Sequence, residues 1–198
     1  MGSPTKRVAF HTLGCKLNFS ETSTISHEFI RHGFEKVDYR ERADIYVLNT
    51  CSVTENADKE ARKIIRRFKR RNPQSSIAVI GCYAQLKPYD IALIDGVDLV
   101  LGAEEKFNLP AYLDTISLNN CSKVIRSDIE YVKKFVPSYS SEERTRSFLK
   151  IQDGCDYTCS FCTIPLARGE SRSDNIENTM RIAIKVAGTN TREIVLTG

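Results

Sequence analysis

The chain has few histidines and no long hydrophobic run. Only three of its 198 residues are histidines, His11, His27 and His32, and all lie near its start. No apolar stretch approaches the roughly 20 residues that a membrane-spanning helix needs, and none follows Met1 as in a signal peptide. We therefore expect a cytoplasmic protein without a membrane partner, in which a reducing environment keeps cysteines as thiols.

The chain also has little excess charge. Its formal net charge is +4, with 41% hydrophobic and 27% charged residues, which is typical of a globular chain with room for one or two domains. A charge of this size permits a nucleic-acid partner without requiring one.

Three of the seven cysteines, Cys155, Cys159 and Cys162, lie within eight residues at the spacing C-x₃-C-x₂-C. A zinc site would need a fourth ligand such as the distant Cys121, and seven thiols cannot all pair as disulfides. Ferredoxin-type clusters fill every iron with a thiolate, so three cysteines would leave one iron open. Catalytic metals keep such an open position for a substrate.

Strands and helices are predicted to alternate up to about residue 127. The predicted strands cover residues 7–13, 44–50, 76–80 and 98–101, and helical patterns separate them. This order predicts an α/β fold, an open parallel sheet with helices on both faces.

Two helices of this alternation have start signals and apolar stripes. Asn18 and Glu21 predict a capping pair for the first helix, and Ser52 and Glu55 a capping box for the second, which Asn72-Pro73 would end. The predicted stripes are Thr22, Ile25 and Phe29 in the first helix and Ala57, Ala61, Ile64, Ile65 and Phe68 in the second.

Cys15, Cys51 and Cys82 each follow a predicted strand. Because the carboxyl ends of parallel strands meet at one edge, where open α/β folds bind ligands, we expect these thiols to lie together. A lone cysteine after a strand is more often a small buried hydrophobe. Three in succession, each beside a glycine or a helix start that favours thiolate, predict a second iron–sulfur site.

The pattern changes after residue 127. Residues 128–145 have the proline and serine content of a linker, and residues 146–198 predict a strand, a helix and a strand. Asp174 is expected to cap that helix, whose predicted face is Ile176, Met180, Ala183, Ile184 and Ala187. A parallel strand–helix–strand unit is how a barrel begins, with its site at the carboxyl ends of the strands.

The segment from Cys155 to Cys162, called the cysteine loop below, has Phe161 before its last thiol. It resembles the C-x₃-C-x-aromatic-C signature of radical S-adenosylmethionine (SAM) enzymes. The resemblance implies a [4Fe–4S] cluster on Cys155, Cys159 and Cys162, whose open iron is chelated by SAM before its cleavage to a 5′-deoxyadenosyl radical. It further implies that Tyr157 and Phe161 bind this cofactor. The alternative for Phe161 is a packing residue under the loop.

The segments 12–18, 49–54 and 81–85 resemble the N-terminal domain of the methylthiotransferases. This resemblance implies a second [4Fe–4S] cluster on Cys15, Cys51 and Cys82 that supplies or holds sulfur, together with a sulfur source and an external electron donor. It also implies that the chain is an N-terminal piece of a longer enzyme. Residues 146–198 would then be the truncated first part of a radical-SAM barrel, and the piece by itself would be inactive.

Within that family, Cys15-Lys16-Leu17-Asn18 and residues 50–54 are most similar to the branch that methylthiolates N6-threonylcarbamoyladenosine beside the tRNA anticodon. The anticodon region of tRNA is thus the expected partner. Isopentenyladenosine in tRNA and an aspartate of a ribosomal protein are the alternative substrates. A non-catalytic iron–sulfur module is the alternative of another class.

The helix after Cys51 carries eight basic residues between residues 59 and 71. They are Lys59, Arg62, Lys63, Arg66, Arg67, Lys69, Arg70 and Arg71. Two interpretations stay open, a solvated helix face and a patch that binds RNA phosphates.

Overall fold

A computed structural model describes residues 5–51, 55–113, 116, 122–140 and 145–198. Its main element is a six-stranded sheet with every strand parallel to its neighbours, in the order β2-β1-β3-β4-β5-β6. The strands are β1 (Arg7–Thr12), β2 (Glu35–Val37), β3 (Ile45–Thr50), β4 (Ser76–Gly81), β5 (Leu99–Leu101) and β6 (Lys123–Ile125). The predicted open parallel sheet is confirmed.

Helices cover both faces of this sheet because alternate residues of each strand point to opposite sides. They are α1 (Lys16–Arg31), α2 (Glu55–Arg71), α3 (Cys82–Leu86), α4 (Pro88–Ala92) and α5 (Leu109–Tyr112), with a 3₁₀ turn at Glu105–Asn108. Tyr46 and Leu48 of β3 pack in one core with the apolar stripe of α2, and the Tyr46 ring stacks on Phe68 at 4.3 Å between centroids. Ile45 and Val47 pack in the other core, with α1.

The last part of the chain forms a second, two-stranded parallel sheet. It consists of β7 (Arg146–Lys150) and β8 (Glu193–Thr197), with α6 (Ile164–Arg168) and α7 (Ile176–Ala187) between them. The predicted strand–helix–strand unit is present. Its helix is capped by Asn175, whose side chain accepts a hydrogen bond from the Asn178 backbone, so the prediction that Asp174 is the cap is wrong.

The two parts of the chain are packed against each other. β7 lies against α1, and α6 lies against α3. The segment predicted as a linker contains a 3₁₀ turn at Ile129–Tyr131, and Tyr139 forms an antiparallel bridge with Leu149 of β7. The cysteine loop between β7 and α6 is therefore held beside the edge of the six-stranded sheet.

The structure corrects the predicted role of Asn18 and Glu21. Cys15 is the N-cap residue of α1, without a side-chain capping bond, and Asn18 and Glu21 are buried within the helix, where they bond to distant groups. The predicted capping box at Ser52, the side chains of Glu55 and Ala57, and Cys121 lie outside the described residues.

Among the described residues, none of the helices has the length and apolar character required to cross a membrane.

Candidate functional site

Cys15, Cys51 and Cys82 lie at the carboxyl edge of three strands that are neighbours in the sheet. Cys51 directly follows β3, Cys82 is the first residue of α3 directly after β4, and Cys15 follows β1 through a two-residue turn. Because β1, β3 and β4 are adjacent, the structure brings the three residues to one edge, as their positions in the sequence predicted.

Two glycines let the strand ends approach closely enough for these cysteines to be neighbours. A Cβ placed on Gly14 would lie 2.5 Å from the Cys51 Cβ, and one placed on Gly81 would overlap the backbone of Thr50. Both glycines have a positive φ, which other residues rarely adopt. The buried Asn18 amide joins the same strand ends, donating to the carbonyls of Leu13 at 2.9 Å and Thr50 at 3.1 Å.

The loop that carries the other three cysteines is closed by backbone hydrogen bonds. The Cys155 amide donates to the Gly169 carbonyl at 3.0 Å, and the Cys162 amide donates to the Cys159 carbonyl at 3.1 Å. Tyr157 and Phe161 project from this loop with 77% and 88% of their surface exposed. Phe161 is therefore not a packing residue under the loop in this structure.

A pocket of about 500 Å³ lies between the two cysteine sets. Cys15 of the first set and Cys155 and Cys162 of the second line it together with Gln152 and Arg168. Cys82 approaches the same region, because α3 packs against α6. Residues 140 positions apart along the chain thus border one space, large enough for a small molecule.

Beside this pocket lies a buried network of five charged side chains, each at most 4% exposed. They are Glu21 of α1, Lys106 of the first 3₁₀ turn, Lys150 of β7, Asp153 of the following loop and Arg168 of α6. The Arg168 guanidinium lies 3.0 Å from Glu21 Oε1 and 2.9 Å from Asp153 Oδ1, and it donates to Asn18 Oδ1 at 2.6 Å.

Two lysines complete the network. Lys106 Nζ lies 2.7 Å from Glu21 Oε2. Lys150 Nζ lies 3.0 Å from Glu21 Oε1 and 2.6 Å from Asp153 Oδ2. Both carboxylates therefore bind more than one cation, which joins the six-stranded sheet to the cysteine loop.

The cations of this network keep the buried Glu21 ionised. Burial alone would raise the pKa of Glu21, but Arg168, Lys106 and Lys150 together hold this pKa well below its usual value. Burial lowers the pKa of Lys106, and the Glu21 carboxylate only partly offsets that effect.

The donor chemistry of both cysteine sets suits iron–sulfur clusters. The six cysteines are thiols and not disulfides, and soft thiolates are the ligands that such clusters use. No three histidine, cysteine, aspartate or glutamate side chains of the described residues form a group that could hold a single metal ion. Cluster thiolates bind separate iron atoms, so they need not converge on one centre.

The sequence did not single out Lys106, Lys150, Asp153 or Arg168 as site residues. One signal was present, because Lys150 interrupts the apolar run from Phe148 to Ile151 in a strand, where an unpaired lysine would be costly. Asp153 and Arg168 flank the cysteine loop, but nothing in the sequence shows that their partner is in α1.

Comparisons with known proteins support an assignment to a family. Residues 7–102 match a family model described as "Uncharacterized protein family UPF0004". The chain is 43% identical to the threonylcarbamoyladenosine tRNA methylthiotransferase MtaB of Bacillus subtilis, over 96% of this chain and 43% of that protein. Its identity to the MtaB protein of Aquifex aeolicus is 39%, over 97% of this chain and 47% of that one.

The chain is also similar to a relative whose name gives a different modified adenosine. The tRNA-2-methylthio-N(6)-dimethylallyladenosine synthase of Amoebophilus asiaticus is 32% identical, over 98% of this chain and 41% of that protein. The chain thus spans less than half the length of these three relatives.

Proposed function

We propose, for a chain that belongs to the methylthiotransferase family, that the whole protein converts N6-threonylcarbamoyladenosine beside the tRNA anticodon to its 2-methylthio form. The observation that carries this proposal is the identity of 43% and 39% to two proteins named for that substrate, against 32% to the tRNA-2-methylthio-N(6)-dimethylallyladenosine synthase. Because the substrate is a tRNA, we expect the protein to act in the cytoplasm.

In this proposal Cys155, Cys159 and Cys162 hold one [4Fe–4S] cluster, and Cys15, Cys51 and Cys82 hold the other. When bound, the cluster on the loop, with one iron free of protein ligands, would supply the electron that cleaves SAM. The pocket supports the proposal, because residues of both cysteine sets line it, Cys15 from the first set and Cys155 and Cys162 from the second. Sulfur held at the first set would therefore be close to a substrate bound near the second.

The residues of the chain orient and shield this reaction. Tyr157 and Phe161, exposed on the loop, are suited to bind the adenine and ribose of SAM with their faces. The buried network holds the loop against α1, so that the pocket keeps its shape. An external electron donor and a sulfur source are required as further partners.

The polar face of α2 is suited to bind the tRNA backbone. Lys59, Lys63, Arg66 and Arg70 line an open groove of about 730 Å³ together with Lys69. Lys69 already bonds to Asp98, and Arg71 to the Tyr39 carbonyl. The exposed cations on this face would position RNA phosphates without reading the base sequence.

The test is mass analysis of tRNA nucleosides from a strain that lacks the gene. We expect 2-methylthio-N6-threonylcarbamoyladenosine to be absent, to return with the full-length gene, and not to return with its Cys159→Ala variant. A Cys121→Ala variant is the matched control, because Cys121 belongs to neither set, and it should restore the nucleoside.

Two other outcomes would contradict the substrate. Loss of the 2-methylthio form of isopentenyladenosine alone would assign the protein to the other tRNA substrate. Unchanged tRNA nucleosides would exclude both tRNA substrates and direct the search to methylthiolation of a ribosomal protein.

A further inference from the structure

The buried network contains more positive than negative charge. Its carboxylates are Glu21 and Asp153, and its buried cations are Lys106, Lys150 and Arg168, so one cation has no carboxylate of its own. The guanidinium of Arg172, 3.4 Å from Asp153, adds to this excess. An uncompensated buried charge is costly, so a structure that keeps one is expected to have an anion nearby.

The buried network lies beside the pocket that three of the cysteines line. Arg168 lines the pocket whose wall also contains Cys15, Cys155 and Cys162. Its helix, α6, packs against α3, which begins at Cys82. Burial would lower the pKa of Arg168, but its interactions with Glu21, Cys82 and Asp153 together raise it well above its usual value.

The position of Arg168 is fixed from several directions. Its two terminal nitrogens contact Asn18 and Glu21 of α1 and Asp153 of the loop after β7. A lysine could carry the same charge but not this forked set of bonds. The guanidinium therefore has a defined place beside the pocket that Cys15, Cys155 and Cys162 line, which an exposed and mobile cation would not have.

We propose that Arg168 is a positioning residue whose buried positive charge balances the anionic cysteine site at Cys15, Cys51 and Cys82 and sets the reduction potential of the cluster there. This inference rests on the proposed function, because it requires that cluster. A fixed positive charge favours the reduced, more negative state of a cluster, so its removal should make reduction harder. A purely structural ion pair would influence stability but have no systematic effect on the potential.

The experiment measures the midpoint potential of the N-terminal cluster in the full-length protein with the Cys159→Ala substitution, which leaves that cluster alone to be observed. Arg168→Gln should shift the midpoint potential to more negative values, and Arg168→Lys should shift it less. Glu21→Gln removes a negative charge from the same network and should shift the potential in the opposite direction. Arg181→Gln is the matched control, because Arg181 is exposed on α7 and bonds to Asn178, and it should leave the potential unchanged.

The opposite signs separate electrostatics from structural damage. If Arg168→Gln does not fold, the sign of the shift in Glu21→Gln still decides. This inference would be overturned if Arg168→Gln and Glu21→Gln shift the midpoint potential in the same direction. It would also be overturned if both variants bind iron and have the potential of the Cys159→Ala parent. Either result would leave the proposed function intact. Failure of the Cys159→Ala protein to bind any iron would overturn both.

Discussion

Glu21 is a carboxylate that the fold keeps charged although it is buried from solvent. Its side chain is completely buried, and three cations on three different elements bind it. Replacing such a pair by apolar groups can be neutral, but removing one partner leaves the others uncompensated, which costs about 3–5 kcal/mol. The role of Glu21 is therefore to hold Lys106, Lys150 and Arg168 in one arrangement.

This leads to a prediction on stability and pH. The pKa of Glu21 in the folded chain is below its ordinary 4.5, so its contribution is complete above that value and is lost as the pH falls below it. Glu21→Gln should lower the free energy of unfolding by about 3 kcal/mol at neutral pH, and the difference should shrink in acid. Urea unfolding of both proteins at pH 7 and below pH 4 measures it.

The control for this prediction is Glu193→Gln. Glu193 pairs with Arg146 at 2.7 Å, but both side chains are more than half exposed, so the change should be within about 0.5 kcal/mol. A constant difference between the Glu21→Gln and parent proteins at all pH values would show that the carboxylate charge is not what matters.

Phe161 allows a second prediction at the scale of one residue. Its ring is 88% exposed, so Phe161→Ala should leave stability and iron content unchanged. A lost aromatic contact of about 1 kcal/mol corresponds to about fivefold weaker binding of SAM to the reconstituted full-length protein, measured by calorimetry. Leu166→Ala, also exposed but on α6 and not on the cysteine loop, should bind SAM like the parent. Equal SAM affinity of the Phe161→Ala and parent proteins would remove the cofactor role.

At the scale of elements, long and regular patterns were predictable and most short ones were not. The stripes of α1 and α2 were found because buried positions such as Ile25, Phe29, Ile64 and Phe68 recur with the helical period. The strands β2 and β6 were missed, since each is a three-residue edge strand with exposed or half-buried positions, whereas the equally short β5 is a fully buried apolar run and was predicted. The five-residue helices α3, α4 and α6 were missed because they are too short to show a period.

The basic residues of α2 can be tested to decide between a solvated helix face and a patch that binds RNA phosphates. Replacing Lys59, Lys63 and Arg66 by glutamine in the full-length protein should preserve the fold, because each is at least partly exposed and none lies in the apolar stripe. If they contact phosphates, the affinity for tRNA should fall. A plot of the logarithm of the association constant against the logarithm of the salt concentration should also become less steep, by about 2–3 in slope, measured by filter binding.

The matched control for α2 removes the same number of charges elsewhere. Arg181, Lys185 and Arg192, all exposed in or after α7, are changed to glutamine together. If the salt dependence becomes equally less steep in both triple variants, the effect is one of general charge. If it is unchanged in the α2 variant, the basic residues of α2 form a solvated helix face that does not bind tRNA.

For the whole molecule, the common edge of Cys15, Cys51 and Cys82 followed from topology alone. Parallel strands all end at one edge, so three cysteines after three strands had to lie there. The buried network could not be predicted, because Glu21 is separated from Lys150 by 129 residues and from Arg168 by 147. A pattern of local spacing carries no information on such pairs, and Glu21 looked instead like a capping residue of its own helix.

The last prediction concerns where iron binds in the chain as given. Each set has one exposed cysteine, Cys15 and Cys159, but the first set also contains the buried Cys82. The first set lies on a sheet of six strands, whereas the loop lies beside a sheet of two, which gives little independent stability. After reconstitution without oxygen, we expect iron to remain at the Cys15, Cys51 and Cys82 site while the loop loses it easily, so this chain should not methylthiolate tRNA. Cys51→Ala should therefore remove most of the bound iron, and Cys159→Ala and the control Cys121→Ala should remove little, measured as iron per chain after desalting. Equal losses of iron from Cys51→Ala and Cys159→Ala would contradict the assignment of separate sites with unequal stability.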